Sequence, residues 1–367
     1  MESSLGIELS PSQDPLTSER LGEILANPGF GLYFTDHMLV AEWTPASGWH
    51  AARVTAYAPI SMDPATAVLH YAQEIFEGMK AYRHPDGSVW TFRPEENAAR
   101  MTRSAGRLAL PALPVADFVA SVDSLIRMDE RWVPDAAGEK SLYVRPFMFA
   151  SETFLGVRPA RHVTFMVIAS PAGAYFAKGV MPVSIWLSEE YSRTGVGGMG
   201  AAKTGGNYAS SLIAQQEATE NGCDQVAFLD TVEKKWVEEL GGMNLYFVYD
   251  DGSMVTPALS GSILEGITRS SIIELCGKLG HNVVERAFSI DEWRDDVGSG
   301  RIVEVFACGT AAVVTPVGKL KWRGGEVNSG GASGEETGPV TRGLRQALVD
   351  IQYGRADDTF GWMHRVG

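Results

Sequence analysis

One lysine stands apart in this sequence. Between Arg193 and Glu217, Lys203 is the single charged side chain, set in Gly195-Val-Gly-Gly-Met-Gly-Ala-Ala-Lys203-Thr-Gly-Gly-Asn-Tyr208. Small neighbours let a backbone crowd a bulky ligand. A lysine attacks a carbonyl only as the free amine, a form that poorly solvating surroundings favour. The chemistry suggested is attachment to an aldehyde or ketone. Two phosphate-loop readings fit less well. Gly195, Gly197 and Gly200 have dinucleotide-fingerprint spacing, but the run opens no helix within a strand–turn–helix unit, and no acidic residue lies at the right distance in such a unit. A P-loop places Gly directly before its lysine, where this chain has Ala202. Composition alone favours a glycine loop with one solvated lysine. Agreement with other segments tells against that.

The chain that must position this lysine has 367 residues, enough for two domains of ordinary size. With 45% hydrophobic and 21% charged residues it reads as a soluble globular protein. Its net charge is −14, from 31 basic and 45 acidic side chains, and no Lys/Arg cluster offers a face for a nucleic-acid backbone. An anionic ligand must therefore be held by individually placed cations. Cys223, Cys276 and Cys308 are far apart and odd in number, with no CxxC, HExxH or Cys/His ligand spacing. Free thiols in a reducing compartment and no metal are expected. The stretch Met1–Asp14 carries Glu2, Glu8 and Asp14 and no basic residue, unlike a signal or transit peptide. No apolar run has membrane-spanning length. A cytoplasmic protein is expected.

The positioning elements read as an α+β, or mixed α/β, arrangement. β-type runs occupy His37–Trp43, Arg53–Ile60, Val89–Phe92, Ser141–Ala150 and His162–Ala169. Helical spacing appears over Pro94–Leu108 (Met101, Ala105, Leu108) and over Asp117–Trp132 (Phe118, Val122, Leu125, Ile126). The segment Pro171–Pro182 breaks both periodicities. Residues 1–175 are read as an N-terminal α+β domain, 176–186 as the connection, and 187–367 as a C-terminal domain carrying Lys203. The second half predicts strands Val183–Ser188, Asp224–Leu229 and Trp236–Leu240 and a helix Tyr208–Glu220. It also predicts a hairpin, Asn244–Tyr249 with Met254–Thr256, turned by Asp250-Asp251-Gly252-Ser253. A helix Ile267–Leu279 ends at Gly280, and Ser289 to Glu292 forms a capping-box start. Strand Arg301–Cys308, the Val313–Trp322 region, a loop Gly324–Gly338 and a helix from Pro339 complete the chain.

Lys203-Thr-Gly-Gly-Asn-Tyr208 with Gln215-Gln216-Glu217-Ala218 resembles the fold-type IV pyridoxal-phosphate enzymes, and specifically the branched-chain amino acid aminotransferases. The resemblance extends over nearly the whole chain. Phe34-Thr-Asp-His-Met-Leu, His70-Tyr-Ala-Gln-Glu-Ile-Phe-Glu-Gly-Met-Lys-Ala, Phe92-Arg-Pro, Arg100-Met, Tyr143-Val-Arg145-Pro and Gly173-Ala-Tyr175-Phe follow in family order. Glu239-Leu-Gly-Gly-Met-Asn244, Gly266-Ile-Thr268-Arg and Val303-Glu-Val-Phe-Ala-Cys-Gly-Thr310-Ala311 continue it.

The resemblance implies a two-domain protein, typically a homodimer, with pyridoxal 5'-phosphate at the domain interface. It makes Lys203 the residue that holds the cofactor and carries the substrate proton. Glu239 pairs with the pyridine nitrogen; strand alternation also separates it from Glu238, read as a solvated strand-edge glutamate. Arg100, the amides of Ile267 and Thr268, and Thr310 take the phosphate. The two amides also open a helix, where free N–H groups favour an anion. Arg103 is read as a surface arginine. Tyr208 bonds the phenolic oxygen. Phe34, Tyr71, Phe76, Tyr143 and Tyr175 form an aromatic box, with Phe34 and Tyr143 near a partner subunit's site. Thr310 and Ala311 read the α-carboxylate, and Arg145 the side-chain carboxylate of glutamate. Two departures stand out. Gly242 occupies a position where some relatives have threonine, and Ala312 and Thr315 occupy positions of a CxxC pair found in others. Cys308 is read as a small buried hydrophobe.

The function expected is transamination between L-leucine, L-isoleucine or L-valine and 2-oxoglutarate, with no nucleic-acid or membrane partner. The alternatives are a D-amino-acid aminotransferase or aminodeoxychorismate-type lyase of the same fold, and a non-catalytic cofactor-binding protein.

Overall fold

The computed structural model describes residues 3–173 and 180–367. The chain forms two compact units. One takes Met1–Ala177, Ala202–Gly205 and Asp350–Gly367; the other takes Lys178–Ala201 and Gly206–Val349. Each is built on a mixed sheet.

The sheet of the first unit runs Glu8–Leu9, Gly48–Ala56, His37–Thr44, Val163–Ala172, Ser141–Ala150, Met79–Arg83, Val89–Phe92 and Met363–Arg365, with Glu74–Phe76 also pairing to Ser141–Ala150. Two helices explain its core. Pro94–Arg107 begins with Pro at the first turn and two glutamates, Glu95 and Glu96, that favour the positive end of the helix dipole. Val115–Met128 turns Phe118, Val122, Leu125 and Ile126 inward, all fully buried. These four side chains together contribute roughly 6–12 kcal/mol of apolar burial, an upper bound because the unfolded chain is itself partly collapsed.

The second unit's sheet runs Val237–Leu240, Gln225–Leu229, Val183–Ser188, Val313–Trp322, Ile302–Gly309, Asn244–Tyr249, Met254–Pro257 and Val283–Arg286, with Gly325–Asn328 paired to Val313–Trp322. The expected hairpin forms, with Gly252 at φ 83° in its turn. Helix Ile267–Leu279 ends at left-handed Gly280, and the Ser289 hydroxyl accepts the Glu292 N–H.

Three expectations shift. The strand read at Arg53–Ile60 is Gly48–Ala56, because its partner ends at His37, opposite Ala56. The single helix Tyr208–Glu220 is two helices, Gly205–Ala209 and Leu212–Glu220. At the break the Ser210 hydroxyl donates to the Asn207 and Arg193 carbonyls and that of Ser211 to Tyr208, replacing helical continuity with side-chain bonds. The loop Gly324–Gly338 contains the strand Gly325–Asn328, turned at Gly324 with φ 103°.

The last helix, Pro339–Gln352, is capped from a distant strand. Buried Glu304 accepts the N–H groups of Val340 (3.0 Å) and Thr341 (2.8 Å) and the Thr341 hydroxyl (2.7 Å). Replacing Glu304 by Ala leaves these donors unanswered and is expected to lower stability by about 1–2 kcal/mol. A urea titration of both proteins checks this; an unchanged midpoint would show the cap to be dispensable.

Among the described residues no helix is long and apolar enough to cross a membrane. Nor does any group of three or more His, Cys, Asp or Glu among them suit a metal ion.

Candidate active site

Side chains alternate along the strand Ser141–Ala150. Leu142, Val144 and Met148 are fully buried in the core of the first unit, so Tyr143, Arg145 and Phe147 turn to the opposite face. Glu74–Phe76 pairs antiparallel to it, Glu74 opposite Phe149 and Phe76 opposite Phe147. Directly opposed residues share a face, which brings Glu74 and Phe76 beside Arg145.

Lys203 reaches the same face. Its Nζ lies 4.7 Å from the Phe76 ring centroid, and the Arg145 guanidinium lies 4.9 Å from that ring and 5.4 Å from the Tyr143 ring. Arg145 Nη2 donates to Tyr143 Oη at 3.2 Å. Gly78 is required here, because a Cβ would collide with Tyr143 Oη. Among the described residues the Arg145 guanidinium forms no ion pair, and its buried Nε has no hydrogen-bond partner.

The Lys203 backbone is held from both sides. Its N–H donates to Ser104 Oγ (2.9 Å), and its C=O accepts the Phe76 N–H (3.0 Å). The Glu74 carboxylate accepts the next residues' groups, the Gly205 N–H and the Thr204 hydroxyl. These bonds explain why Ala202–Gly205 groups with the first unit. Asp350–Gly367 groups with the same unit.

Arg100 is buried, unlike exposed Arg103. Its Nε and Nη2 donate to Glu77 Oε1 (2.8 Å) and Oε2 (2.7 Å), and Asn97 Nδ2 donates to the same carboxylate at 2.8 Å. Glu77 is fully buried, and only such a bonded pair makes that tolerable. The other aromatics are dispersed. Phe34 stacks on Tyr57 at 5.2 Å, and the Tyr71 hydroxyl donates to the Leu155 carbonyl; Phe34 is 38% and Tyr71 40% exposed. Tyr175 lies outside the described residues.

In the second unit the centre is Glu239, 2% exposed on the strand Val237–Leu240. Its Oε1 accepts from Arg193 Nη1 (2.8 Å) and the Leu264 N–H (2.9 Å), and Asn244 Nδ2 approaches Oε2 at 3.4 Å. Arg193 is buried as well, and its guanidinium lies 5.9 Å from the Tyr208 ring. Glu238 is not the solvated edge residue expected. It is 7% exposed, its carboxylate accepts the Ser262 hydroxyl, and burial pushes its carboxyl above the ordinary carboxylate range. Alternation separates the two glutamates as argued, but the covering segment around Ser262 closes over both.

Ile267 and Thr268 begin the helix Ile267–Leu279, whose N-cap Gly266 offers no side-chain cap. A Cβ on Gly266 would strike Asn244, so glycine is what lets the helix start approach the Glu239 shell. Thr310 and Ala311 form the turn between Ile302–Gly309 and Val313–Trp322. That turn adjoins Gly242: a Cβ on Gly309 would lie 3.4 Å from the Gly242 carbonyl oxygen. A Cβ on Gly242 would in turn meet Tyr208 Cε1 at an ordinary 3.7 Å. Cys308 is buried, which pushes its thiol far up and leaves it inert.

Sequence reasoning missed Glu74, Glu77, Ser104 and Arg193. Glu74 and Glu77 sat inside a quoted motif, and Arg193 bounded the neutral run around Lys203, but neither signal carries a partner. The residues present suit pyridoxal phosphate. A lysine faces an aromatic ring and a buried carboxylate is held by an arginine and an amide. The start of the helix Ile267–Leu279, with no side-chain cap, offers N–H groups to an anion.

Comparison with known proteins agrees. Residues 74–320 match the family described as Amino-transferase class IV. The chain is 59% identical to the probable branched-chain-amino-acid aminotransferase of Streptomyces coelicolor, over 98% of each chain. Among solved structures it is similar to the branched-chain amino acid aminotransferase of Escherichia coli, with TM-score 0.73 and 28% identity over 89% of this chain and 99% of that one. It is also similar to the branched-chain amino acid aminotransferase of Thermobaculum terrenum, solved in its PLP-form (holo-form), with TM-score 0.71 and 25% identity over 89% of this chain and 98% of that one.

Proposed function

The chain belongs to the class IV amino-transferase family, and from that premise we propose that it exchanges amino groups between L-leucine, L-isoleucine or L-valine and 2-oxoglutarate. The observation that carries the substrate assignment is Arg145. A guanidinium with no ion pair among the described residues, flanked by Phe76 and Tyr143, shares a face with Lys203. Apolar side chains find aromatic surface there, and a substrate carboxylate finds an unspent charge. Burying such a carboxylate unpaired would be costly enough to exclude it.

Pyridoxal 5'-phosphate, when bound, supplies the electron sink for breaking the substrate Cα–H bond. Lys203 would hold it, and the free Lys203 amine would carry the proton away from Cα. Glu239, fixed by Arg193 and the Leu264 amide, keeps a proton on the pyridine nitrogen by its charge. Tyr208 donates to the phenolic oxygen. Arg100, oriented by Glu77, the amides of Ile267 and Thr268, and Thr310 hold the phosphate. The Thr310–Ala311 turn reads the α-carboxylate. Phe76 and Tyr143, with Phe34, Tyr71 and Tyr175, wall the side-chain pocket.

We further infer a cytoplasmic homodimer. Phe34, Tyr57 and Tyr71 are each about 40% exposed, and Leu155 is 66% exposed, the kind of apolar surface a second copy would cover. Sedimentation at micromolar concentration tests it; a monomer would refute it.

Single-turnover spectra with L-leucine, D-leucine and L-glutamate test the activity. Both L-amino acids should convert the cofactor, and the D-isomer should not. Reaction with D-leucine alone would overturn the assignment. Arg145→Met should lower efficiency with L-glutamate and 2-oxoglutarate roughly tenfold or more, about 1.4 kcal/mol or above, and affect L-leucine far less. Equal losses for both substrates would leave Arg145 a structural residue.

A further inference from the structure

The turn that carries Lys203 is irregular, and Gly205-Gly206 follow it directly. Residues 201–204 belong to no helix or strand, so the lysine's location depends on what ties this turn down. Ser104 and Phe76 each answer one backbone group of Lys203 itself. A further tie is the Glu74 side chain. One oxygen of Glu74 accepts both the Gly205 N–H and the Thr204 hydroxyl, immediately after the lysine. A Cβ on Gly205 would occupy the place of that oxygen, so the glycine and the carboxylate are matched.

We propose that Glu74 is the positioning residue of Lys203, an acceptor that latches the turn so that the amine is presented to the cofactor's aldehyde. This rests on the function proposed above. Glu74 forms no ion pair with Arg145 among the described residues, so it is not spent as that cation's partner. Burial pushes its carboxyl above the ordinary carboxylate range, against the opposing pull of the Gly205 amide, the Thr204 hydroxyl and the Arg145 charge. Glu74 lies on the face shared with Phe76 and Arg145, so the strand that forms the pocket wall also holds the lysine turn.

The test uses the full-length protein and two probes. Pyridoxal 5'-phosphate condenses with the Lys203 amine, losing one water as the C=N bond forms. Pyridoxamine 5'-phosphate has no aldehyde and binds without the lysine. Glu74→Leu removes the acceptor; Glu74→Gln keeps a carbonyl oxygen in its place. In Glu74→Leu, covalent attachment, followed by visible absorbance and borohydride trapping, should slow on the order of 10²-fold. Its affinity for pyridoxamine 5'-phosphate should stay within about twofold of wild type, because only the lysine has moved. Glu74→Gln should restore most of the attachment rate. Wild-type attachment rates in Glu74→Leu, or a parallel loss of affinity for both probes in both variants, would overturn the proposal. The wild type separates the two ideas. A reduced peptide labelled elsewhere than Lys203 would sink the parent reading, whereas normal labelling with an indifferent Glu74→Leu would sink the latch alone.

Discussion

Lys203→Ala is expected to lose turnover with L-leucine by on the order of 10³-fold or more, within the span attributed to a positioned proton carrier. The fold should survive. The bonds from Ser104, Phe76 and Glu74 use the Lys203 N–H, the Lys203 C=O and groups of Thr204 and Gly205, and the substitution removes none of these. What disappears is the amine above the Phe76 ring. Borohydride should then trap no cofactor on the protein, while the unfolding midpoint stays near that of the wild type. Transamination at the normal rate would end the assignment of Lys203 as the nucleophile.

The second large effect is expected at Glu239. Glu239→Gln removes the charge that would keep the pyridine nitrogen protonated, and strands buried Arg193 without its carboxylate. The rate should fall at least about tenfold, 1.4 kcal/mol or more in the barrier. Glu238→Gln is the control, and the structure sharpens it. Burial pushes the Glu238 carboxyl toward its neutral form, with the Ser262 hydroxyl opposing the shift. A glutamine is close in shape to the carboxyl and keeps an oxygen that accepts the Ser262 hydroxyl, so the substitution should change the rate little. Steady-state kinetics on the two variants decide it. Similar losses would mean that the two glutamates act as one buried unit.

Features that depend on a few neighbouring residues were readable from the chain alone. The strand Ser141–Ala150 appears with the limits its alternation implied. Helix Pro94–Arg107 follows its apolar spacing, and left-handed Gly280 and the Ser289 cap stop and start helices where glycine and serine do so by local geometry. The same alternation placed Tyr143 and Arg145 on one face. Lys203 was conspicuous because an isolated charge in a neutral, glycine-rich run is itself a local pattern. Where local geometry is ambiguous the reading slipped: Ser210 and Ser211 divide a helix by bonding backward to carbonyls, an option that apolar periodicity does not register.

Tertiary structure decided who meets whom. Periodicity says that a side chain turns inward but not which residue answers it there. Glu77 meets Arg100 across 23 residues, Ser262 covers Glu238 across 24, and Glu74 reaches Gly205 across 131. Each bond exists because a buried polar group must find a partner once the chain has folded back on itself, and the cost of leaving it unmet makes these pairings strict. The same physics ties the backbone of Lys203 to Ser104 and Phe76, partners that its place in the sequence does not name.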